Sequence, residues 1–178
     1  GLLPQDQMVT GARRAAAAKA QRYCIVISGR SPLDREIADI ASAVRSIKQE
    51  IPIQICCSLG LLNERQAKDL KAAGVDRINH NLNTSEAYHA EICSTHTFQD
   101  RLATIRHART AGLEICSGGI VGMGERDEDL IDLALELKIP VADPAPDMSI
   151  DLEAWATPPD QNEGARNRPR DPVLLMAD

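Results

Sequence analysis

Three cysteines on separate strand-forming segments offer the clearest chemistry in this sequence. Cys24, Cys56 and Cys116 each lie in or at the end of a short apolar, β-branched segment. Functional groups collect where the carboxyl ends of parallel strands meet, so the three thiols are predicted to converge on one site. Thiolates are soft ligands suited to iron–sulfur clusters. The alternative is that each thiol is a buried structural residue, because free cysteine is common in protein cores.

The two remaining cysteines are interpreted as structural. Cys57 alternates to the opposite side of its strand from Cys56, and Cys93 lies in a connecting segment. The cysteine count of 5 is odd, and we find no basic region followed by an apolar signal core. A disulfide framework is therefore not expected.

Alternating amides follow the third predicted strand. Asn79, Asn81 and Asn83 can point the same way if the strand persists. Amides both donate and accept hydrogen bonds, which suits ribose hydroxyls or the ureido group of a neutral ligand. An Asn-rich turn that caps the next helix through Thr84 or Ser85 is the open alternative.

A glycine-rich segment, 117–125, follows the fourth predicted strand and precedes a helix. Its glycines permit tight turning or close approach of the backbone to a ligand. The lysine and hydroxyl pair of a phosphate-binding loop is missing, and Glu125 would oppose a phosphate. A neutral or zwitterionic nucleoside fits this segment better.

Helical and extended patterns alternate along the chain and position these groups. Asp34 and Asn63 are predicted helix caps, and Gly74 is a predicted left-handed helix stop. Strands are predicted near Cys24, Cys56, Asn79 and Cys116, and helices over 5–20, from Asp34 to Ile47, from Asn63 to Gly74, and over 85–93, 98–111 and 128–138. The pattern predicts an α/β fold with parallel strands, either a doubly wound sheet or part of a (β/α) barrel.

Composition limits the classes of function. The chain has 178 residues, 43% hydrophobic residues and a formal net charge of −6 with interspersed charges, which argues against a nucleic-acid or anionic-membrane surface. No apolar stretch approaches the roughly 20 residues of a membrane helix, so we expect a cytoplasmic protein.

The sequence changes character after Lys138. Seven of the ten prolines fall from Pro140 to Pro172, and hydrophobic periodicity disappears. We divide the chain into a core, 1–138, and a Pro-rich tail, 139–178, that is predicted to be disordered or loosely packed. Its apolar end, 173–176, could form one short strand or helix.

Four segments in order resemble biotin synthase, a family of the radical S-adenosylmethionine (SAM) superfamily. The segments are Tyr23–Val26, Cys56–Gly60, Asn79–Ser85 and Cys116–Gly122, and the resemblance covers roughly residues 8–137. It implies a partial (β/α) TIM-type barrel of about four βα units. It also implies conversion of dethiobiotin to biotin by radical sulfur insertion, with the isolated chain expected to be inactive.

The resemblance implies cofactors and their ligands. Cys24, Cys56 and Cys116 match the three cysteine ligands of a sulfur-donating 2Fe–2S cluster. Family members also use a 4Fe–4S cluster that cleaves SAM reductively. A flavodoxin or ferredoxin is the implied electron donor, and a homodimer is compatible with the resemblance.

The same resemblance implies contacts to small molecules. Asn79 matches a position that contacts dethiobiotin, whereas Asn81 and Asn83 match positions at SAM. Asn83 replaces an aspartate that binds ribose hydroxyls in some relatives, so the family's charge is absent. Gly118, Ile120 and Gly122 match a family motif that lines the nucleoside pocket.

Two departures from the family stand out. The Cys-x3-Cys-x2-Cys motif that ligates the 4Fe–4S cluster is absent and is expected to precede Gly1. The family's fourth 2Fe–2S ligand is a later arginine, and that role cannot be assigned to Arg166, Arg168 or Arg170. These departures predict a fragment, a frameshifted end or a degenerate protein.

Two other classes of protein stay open. One is a non-catalytic half-barrel that binds a nucleoside or dethiobiotin, or assembles with a partner chain to cover its open edges. The other is a different enzyme of similar fold, such as a hydrogenase-maturation relative or a metal-free barrel aldolase. The segment Asn79–Ser85 argues against the second.

Overall fold

A computed structural model describes residues 2–138 and 173–177 of the chain. Helices and strands alternate through most of this part. The helices are α1 (Gln5–Ala17), α2 (Asp34–Glu50), α3 (Glu64–Ala73), α4 (Glu86–Ile92), α5 (Phe98–Thr110) and α6 (Asp127–Lys138). The strands are β1 (Arg22–Val26), β2 (Gln54–Ser58), β3 (Arg77–Asn79), β4 (Glu114–Val121) and β5 (Val173–Ala177).

The strands form one sheet in the order β1-β2-β3-β4-β5. The first four are parallel, as the sequence predicts, and β5 runs antiparallel to β4. A doubly wound sheet reverses its strand order at a switch point, whereas here each strand pairs with the next one along the chain. The order therefore favours the partial (β/α) barrel over the doubly wound sheet.

The main core lies between the sheet and its helices. Helices α1, α2, α3 and α5 pack side by side in that order. In the β-strands, alternate residues point toward these helices and are mostly aliphatic, because that face is removed from water. The buried strand residues of this core are Ile25, Ile55, Cys57 and Ile78, and α2 adds Ile37, Ile40, Val44 and Ile47.

Helix α3 begins and ends as the sequence predicts. The side-chain oxygen of Asn63 accepts a hydrogen bond from the Gln66 backbone N–H at 2.9 Å. Gly74 ends the helix with a φ of 102°, a left-handed conformation that favours glycine. These two signals fix the position of α3 before β3.

The prediction that Asp34 caps α2 is wrong. Asp34 is the first helical residue, and the Glu36 carboxylate accepts the N–H of Leu33 at 2.7 Å. The Asp34 carboxylate instead accepts a hydrogen bond from Gln66 and forms an ion pair with Arg65, both on α3. A tertiary contact has replaced the local cap.

The proline-rich segment, 139–172, lies outside the described residues. At 173–177, where the sequence left a strand or helix open, the structure has strand β5. Among the helices that the structure describes, none is long and apolar enough to cross a membrane.

Candidate metal and cofactor site

One face of the sheet is packed against helices, and the opposite face carries polar and thiol side chains. Strand alternation places every second residue of β1–β4 on this second face, which we call the thiol face. Its members include Arg22, Cys24, Val26, Gln54, Cys56, Arg77, Asn79, Glu114 and Cys116. The thiol face is where the predicted cluster ligands lie.

The register of the strands brings the predicted thiols onto the same surface. Cys24 and Cys56 are Cα partners across β1 and β2, and Cys116 is the partner of Asn79 across β3 and β4. Cys56 and Cys116 are buried, with exposures of 5% and 4%, whereas Cys24 is exposed. The structure thus places Cys24, Cys56 and Cys116 on one face, and Cys57 in the core behind it.

Cys24 and Cys56 interact as a pair. A side-chain hydrogen bond to Cys56 lowers the pKa of the Cys24 thiol, although burial and the nearby Cys116 act in the opposite direction. The same hydrogen bond and burial raise the pKa of Cys56. The more exposed Cys24 is therefore the first of the pair to ionise and to offer a thiolate to a metal.

Cationic and amide groups surround these thiols. The Arg77 guanidinium forms an ion pair with Glu114 at 3.0 Å, and its charge lowers the pKa of Cys56 against the effects that raise it. The Asn79 amide nitrogen lies 3.7 Å from the Cys116 sulfur, within range of a weak N–H to sulfur hydrogen bond. Such donors stabilise anionic sulfur at a metal centre.

Strand β3 ends at Asn79, yet its hydrogen-bond ladder continues. The backbone N–H groups of His80 and Leu82 donate to the carbonyls of Cys116 and Gly118 at 2.8 and 3.0 Å. Burial alternates accordingly: His80 and Leu82 are buried, and the asparagines between and beside them are partly exposed. The predicted period of two is therefore present beyond the strand.

Asn83 leaves this ladder in a left-handed conformation, with a φ of 73°. Its carbonyl accepts the N–H of Ile120 at 2.8 Å, and its own N–H donates to Gly118. Asparagine adopts this conformation more readily than most residues. The backbone alone therefore explains an asparagine at 83, and the role of its side chain stays a prediction.

The capping alternative for the amide segment is also present. The Ser85 hydroxyl accepts the N–H of Tyr88 at 3.1 Å and so caps α4. The same hydroxyl donates to the buried Asp129 carboxylate at 2.7 Å, which ties α4 to α6. The segment thus combines a helix cap with the side-chain amides of Asn79, Asn81 and Asn83. We call these three residues the amide edge.

Several buried polar atoms beside this edge lack a hydrogen-bond partner. They include Asn81 Oδ1 and Arg101 Nε. Buried polar atoms are normally paired, so unpaired atoms on two residues in contact, Asn81 and Arg101, fit a polar small molecule. Asn81, a predicted cofactor contact, is among them.

His80 is a buried histidine within the amide segment. The ring is 5% exposed, but its Nε2 atom has no partner. Burial and the nearby charges of Arg101 and His96 lower its pKa to about 3. His80 is therefore neutral at physiological pH.

In the glycine-rich turn after β4, backbone N–H groups donate hydrogen bonds to the carboxylate of Glu125 in the same turn. Glu125 accepts the N–H groups of Gly122 and Met123 at 2.6 and 2.7 Å. Burial raises the pKa of Glu125, but these backbone hydrogen bonds outweigh it and lower the pKa overall. With its amides occupied, the turn is not a phosphate cradle, in agreement with the sequence argument.

Gly118 and Ile120 lie within β4, next to the amide edge. The Gly118 carbonyl accepts the N–H of both Leu82 and Asn83, and Ile120 donates to Asn83. The predicted nucleoside-lining residues Gly118 and Ile120 and the amide residue Asn83 thus meet at one place. Gly122 lies past the strand, in the turn held by Glu125.

Arg101 is a functional candidate that the sequence reasoning missed. Its Nη1 atom donates to the carbonyl of Asn81 at 2.6 Å, while burial lowers its pKa. A sequence signal existed: on α5, position 101 shares the face of the buried residues Phe98, Leu102 and Ile105. A charged residue on a buried helix face is uncommon and points to a functional contact.

Thiols on one face of a parallel sheet, with amides beside them, can hold a metal centre and a polar ligand. The model of the Radical SAM superfamily matches residues 1–137. The chain therefore belongs to the radical SAM superfamily. A solved structure of methylornithine synthase shares the fold, with a TM-score of 0.66 at 18% identity, covering 77% of this chain and 41% of that one.

Within the superfamily, the chain is similar to biotin synthases. The biotin synthase of Sulfurihydrogenibium sp. (strain YO3AOP1) is 53% identical over 135 residues, which are 76% of this chain and 40% of that protein. The biotin synthase of Rhodopirellula baltica is 50% identical over 136 residues, 76% of this chain and 38% of that protein. The chain thus spans about two fifths of the length of these relatives.

Proposed function

We propose that this chain is the part of a biotin synthase that carries the thiol ligands of the sulfur-donating 2Fe–2S cluster. One observation carries the proposal: the strand register places Cys24, Cys56 and Cys116 on the same face of one sheet. When bound, the cluster supplies sulfur to dethiobiotin, in a reaction that SAM and a 4Fe–4S cluster initiate.

The donor set fits an iron–sulfur cluster. Cysteine thiolates are its usual ligands, and the thiols on β1, β2 and β4 would fill three of the four positions. The hydrogen bond from Cys56 lowers the pKa of the Cys24 thiol, and Asn79 provides a donor beside Cys116. Ligands to the 4Fe–4S cluster are not among the residues that we assign.

The amide edge is the proposed small-molecule site. Asn79 lies next to Cys116, so a substrate held there would adjoin the cluster that donates sulfur. Asn81 and Arg101 supply an unpaired buried acceptor and donor, which fit the amino-acid end of SAM. Gly118, Ile120 and Asn83 would line its nucleoside part, and Gly122 would border it.

Further parts of the proposal concern partners. Dethiobiotin is the proposed substrate, and a flavodoxin or ferredoxin is the proposed electron donor, as biotin synthases require. We also propose a cytoplasmic setting, without a nucleic-acid or membrane partner. These proposals follow from the similarity to biotin synthases and from the charge pattern of the chain.

A second candidate function is assembly with another copy of the chain over the thiol face. Val26 follows Cys24 on this face and is 65% exposed, although it is apolar. Strand β1 also forms one edge of the sheet. A homodimer that covers this face would show in sedimentation and would be weakened by Val26→Lys.

Anaerobic reconstitution tests the cluster site. The 178-residue chain is supplied with iron and sulfide, and bound iron, sulfide and visible spectra are measured. The test variant carries Cys24→Ala, Cys56→Ala and Cys116→Ala together. Cys57→Ala is the matched control, because Cys57 is adjacent to Cys56 but lies on the opposite face of the same strand.

We expect about two irons per chain with the absorption of a 2Fe–2S cluster in the parent and in Cys57→Ala, and neither in the triple variant. Equal iron in the parent and the triple variant would refute the assignment of the three thiols. The absence of specific iron from a folded parent chain, checked by circular dichroism, would refute the site as well.

A further inference from the structure

A second group of metal-ligating side chains lies away from the thiol face, where α4 meets α5. It consists of His89 on α4, Cys93 at the end of that helix and His96 in the following loop. One ligand atom from each residue lies within 4.8 Å of the other two. The spacing, His-x3-Cys-x2-His, brings them together because residues four apart share one helix face.

The distances within this group match those of a tetrahedral metal site. The Cys93 sulfur lies 3.5 and 3.7 Å from the two ring nitrogens of His96. Zinc–sulfur and zinc–nitrogen bonds at tetrahedral angles place sulfur and nitrogen about 3.6 Å apart. The His89 and His96 rings are 5.7 Å apart at 65°, so neither ring stacks over the other and blocks its nitrogens.

The orientation of His96 is fixed by a neighbour. The Thr95 hydroxyl lies 3.0 Å from Nδ1 of His96, which leaves Nε2, 3.7 Å from the Cys93 sulfur, as the nitrogen available to a metal. A ligating histidine commonly has its other ring nitrogen held by such a hydrogen bond. Thr95 therefore provides the outer contact that a metal site requires.

His89 gives the independent sign that a ligand belongs here. The residue is 3% exposed, and its Nε2 atom is buried without a hydrogen-bond partner. Phe98 packs edge-on against the ring at 6.0 Å and holds it in place. An unpaired buried nitrogen costs free energy, and coordination to a cation would remove that cost.

The surroundings suit a divalent cation. The group opens on a cleft of about 440 Å³ that includes the carboxylates of Glu86 and Asp100 and the cation of Arg30. Arg101 lies close enough to affect the histidines electrostatically. The Cys93 thiolate and the two carboxylates carry three negative charges, which offset all but one of the four positive charges of Arg30, Arg101 and a bound dication.

We propose that His89, Cys93 and His96 form a zinc site with three protein ligands and a fourth position open to the cleft. Two imidazoles and one thiolate are a ligand set that Zn²⁺ accepts, and the open position takes water. The ion would join the end of α4 to the start of α5. It would thereby hold the loop next to Arg101, whose Nη1 contacts Asn81.

This site is separate from the proposed cluster, so the two can be tested independently. The test uses the full chain in the Cys24→Ala, Cys56→Ala, Cys116→Ala background, which removes the competing thiols. Zinc binding is measured by competition with a chromophoric chelator, and cobalt replaces zinc for visible spectroscopy. The variants are Cys93→Ser and His96→Gln, with Ser94→Ala as the control in the same loop.

We expect one zinc per chain with a Kd below about 1 μM in the background chain and in Ser94→Ala. Cys93→Ser and His96→Gln should each weaken binding at least about 100-fold, beyond the effect of losing an outer contact. Cobalt should give a thiolate charge-transfer band that Cys93→Ser removes. Cys93 and His96 are partly exposed, so both variants are expected to fold, which circular dichroism checks.

Two outcomes would overturn the zinc site. One is a folded background chain that fails to bind zinc at micromolar concentration. The other is folded Cys93→Ser and His96→Gln variants that bind zinc as tightly as their parent. Loss of iron from the cluster site would leave the zinc result unchanged, so a failure of either proposal can be recognised separately.

Discussion

Gly119 is the position in β4 where a single added methyl group should have the clearest effect. A Cβ atom at Gly119 would lie 2.2 Å from Cδ2 of Leu133 and 3.2 Å from the carbonyl oxygen of Asn83. Leu133 is 3% exposed and packs in the cluster of Leu82 and Phe98. Gly119→Ala must therefore displace a well-packed side chain of α6.

The size of the effect follows from two opposing terms. Overpacking a core by a methyl group costs about 1–3 kcal/mol. Replacing glycine with alanine restricts the unfolded chain and returns about 0.4–1 kcal/mol. We therefore expect Gly119→Ala to lower the free energy of unfolding by roughly 1–2 kcal/mol.

Urea unfolding of the full chain measures this change, and a double-mutant cycle isolates its cause. Leu133→Ala alone should cost about 2–5 kcal/mol because it leaves a cavity. In the double variant the new methyl group occupies space that Leu133 vacates. The two costs should then sum to about 1–2 kcal/mol more than the double variant loses.

Two results would refute the reasoning. The first is a Gly119→Ala chain that is as stable as the parent or more stable. The second is strict additivity in the cycle, which would show that the Leu133 side chain is not what the methyl group meets. Either result would mean that α6 does not pack on β4 at this distance.

Two further predictions concern stability. The Asp76 carboxylate accepts hydrogen bonds from the Ile55 backbone N–H and from Lys48, both at 2.6 Å; Asp76→Ala should cost about 1–3 kcal/mol in urea unfolding, whereas Lys48→Met, which spares the backbone hydrogen bond, should cost less. The pKa of His80 is lowered to about 3 in the folded chain, so below pH 6.5 the unfolded chain binds the extra proton and stability falls as the pH drops. The loss from this residue should approach roughly 2 kcal/mol between pH 7 and 5, and His80→Gln should reduce the slope; an unchanged slope would contradict the burial argument.

The order of helices and strands could be predicted because each signal is local. Asn63 and Gly74 bound α3 by chemistry within a few residues of themselves, and the β-branched segments around Cys24 and Cys56 specify strands. Parallel strands then place same-phase residues on one face, so the common surface of the three thiols was also predictable. The distances between the three thiols and the burial of each thiol could not be predicted from these local signals.

Features that depend on contacts between distant segments escaped prediction. Asp34 leaves its expected cap position because α3 presents Arg65 and Gln66 to it. The proximity of His96 to His89 requires the loop to fold back over α4, which no propensity encodes. For this reason the sequence analysis interpreted Cys93 as structural, whereas the structure places it in a three-residue group with His89 and His96.

The consecutive pairing of β1 to β4 also sets an order of maturation. Each strand docks on the one made just before it, so the sheet can grow as the chain emerges from the ribosome. Cys24 and Cys56 lie on the first two strands of this order, whereas Cys116 lies on the fourth. If the proposed cluster uses all three thiols, its complete ligand set would exist only after the fourth strand has paired.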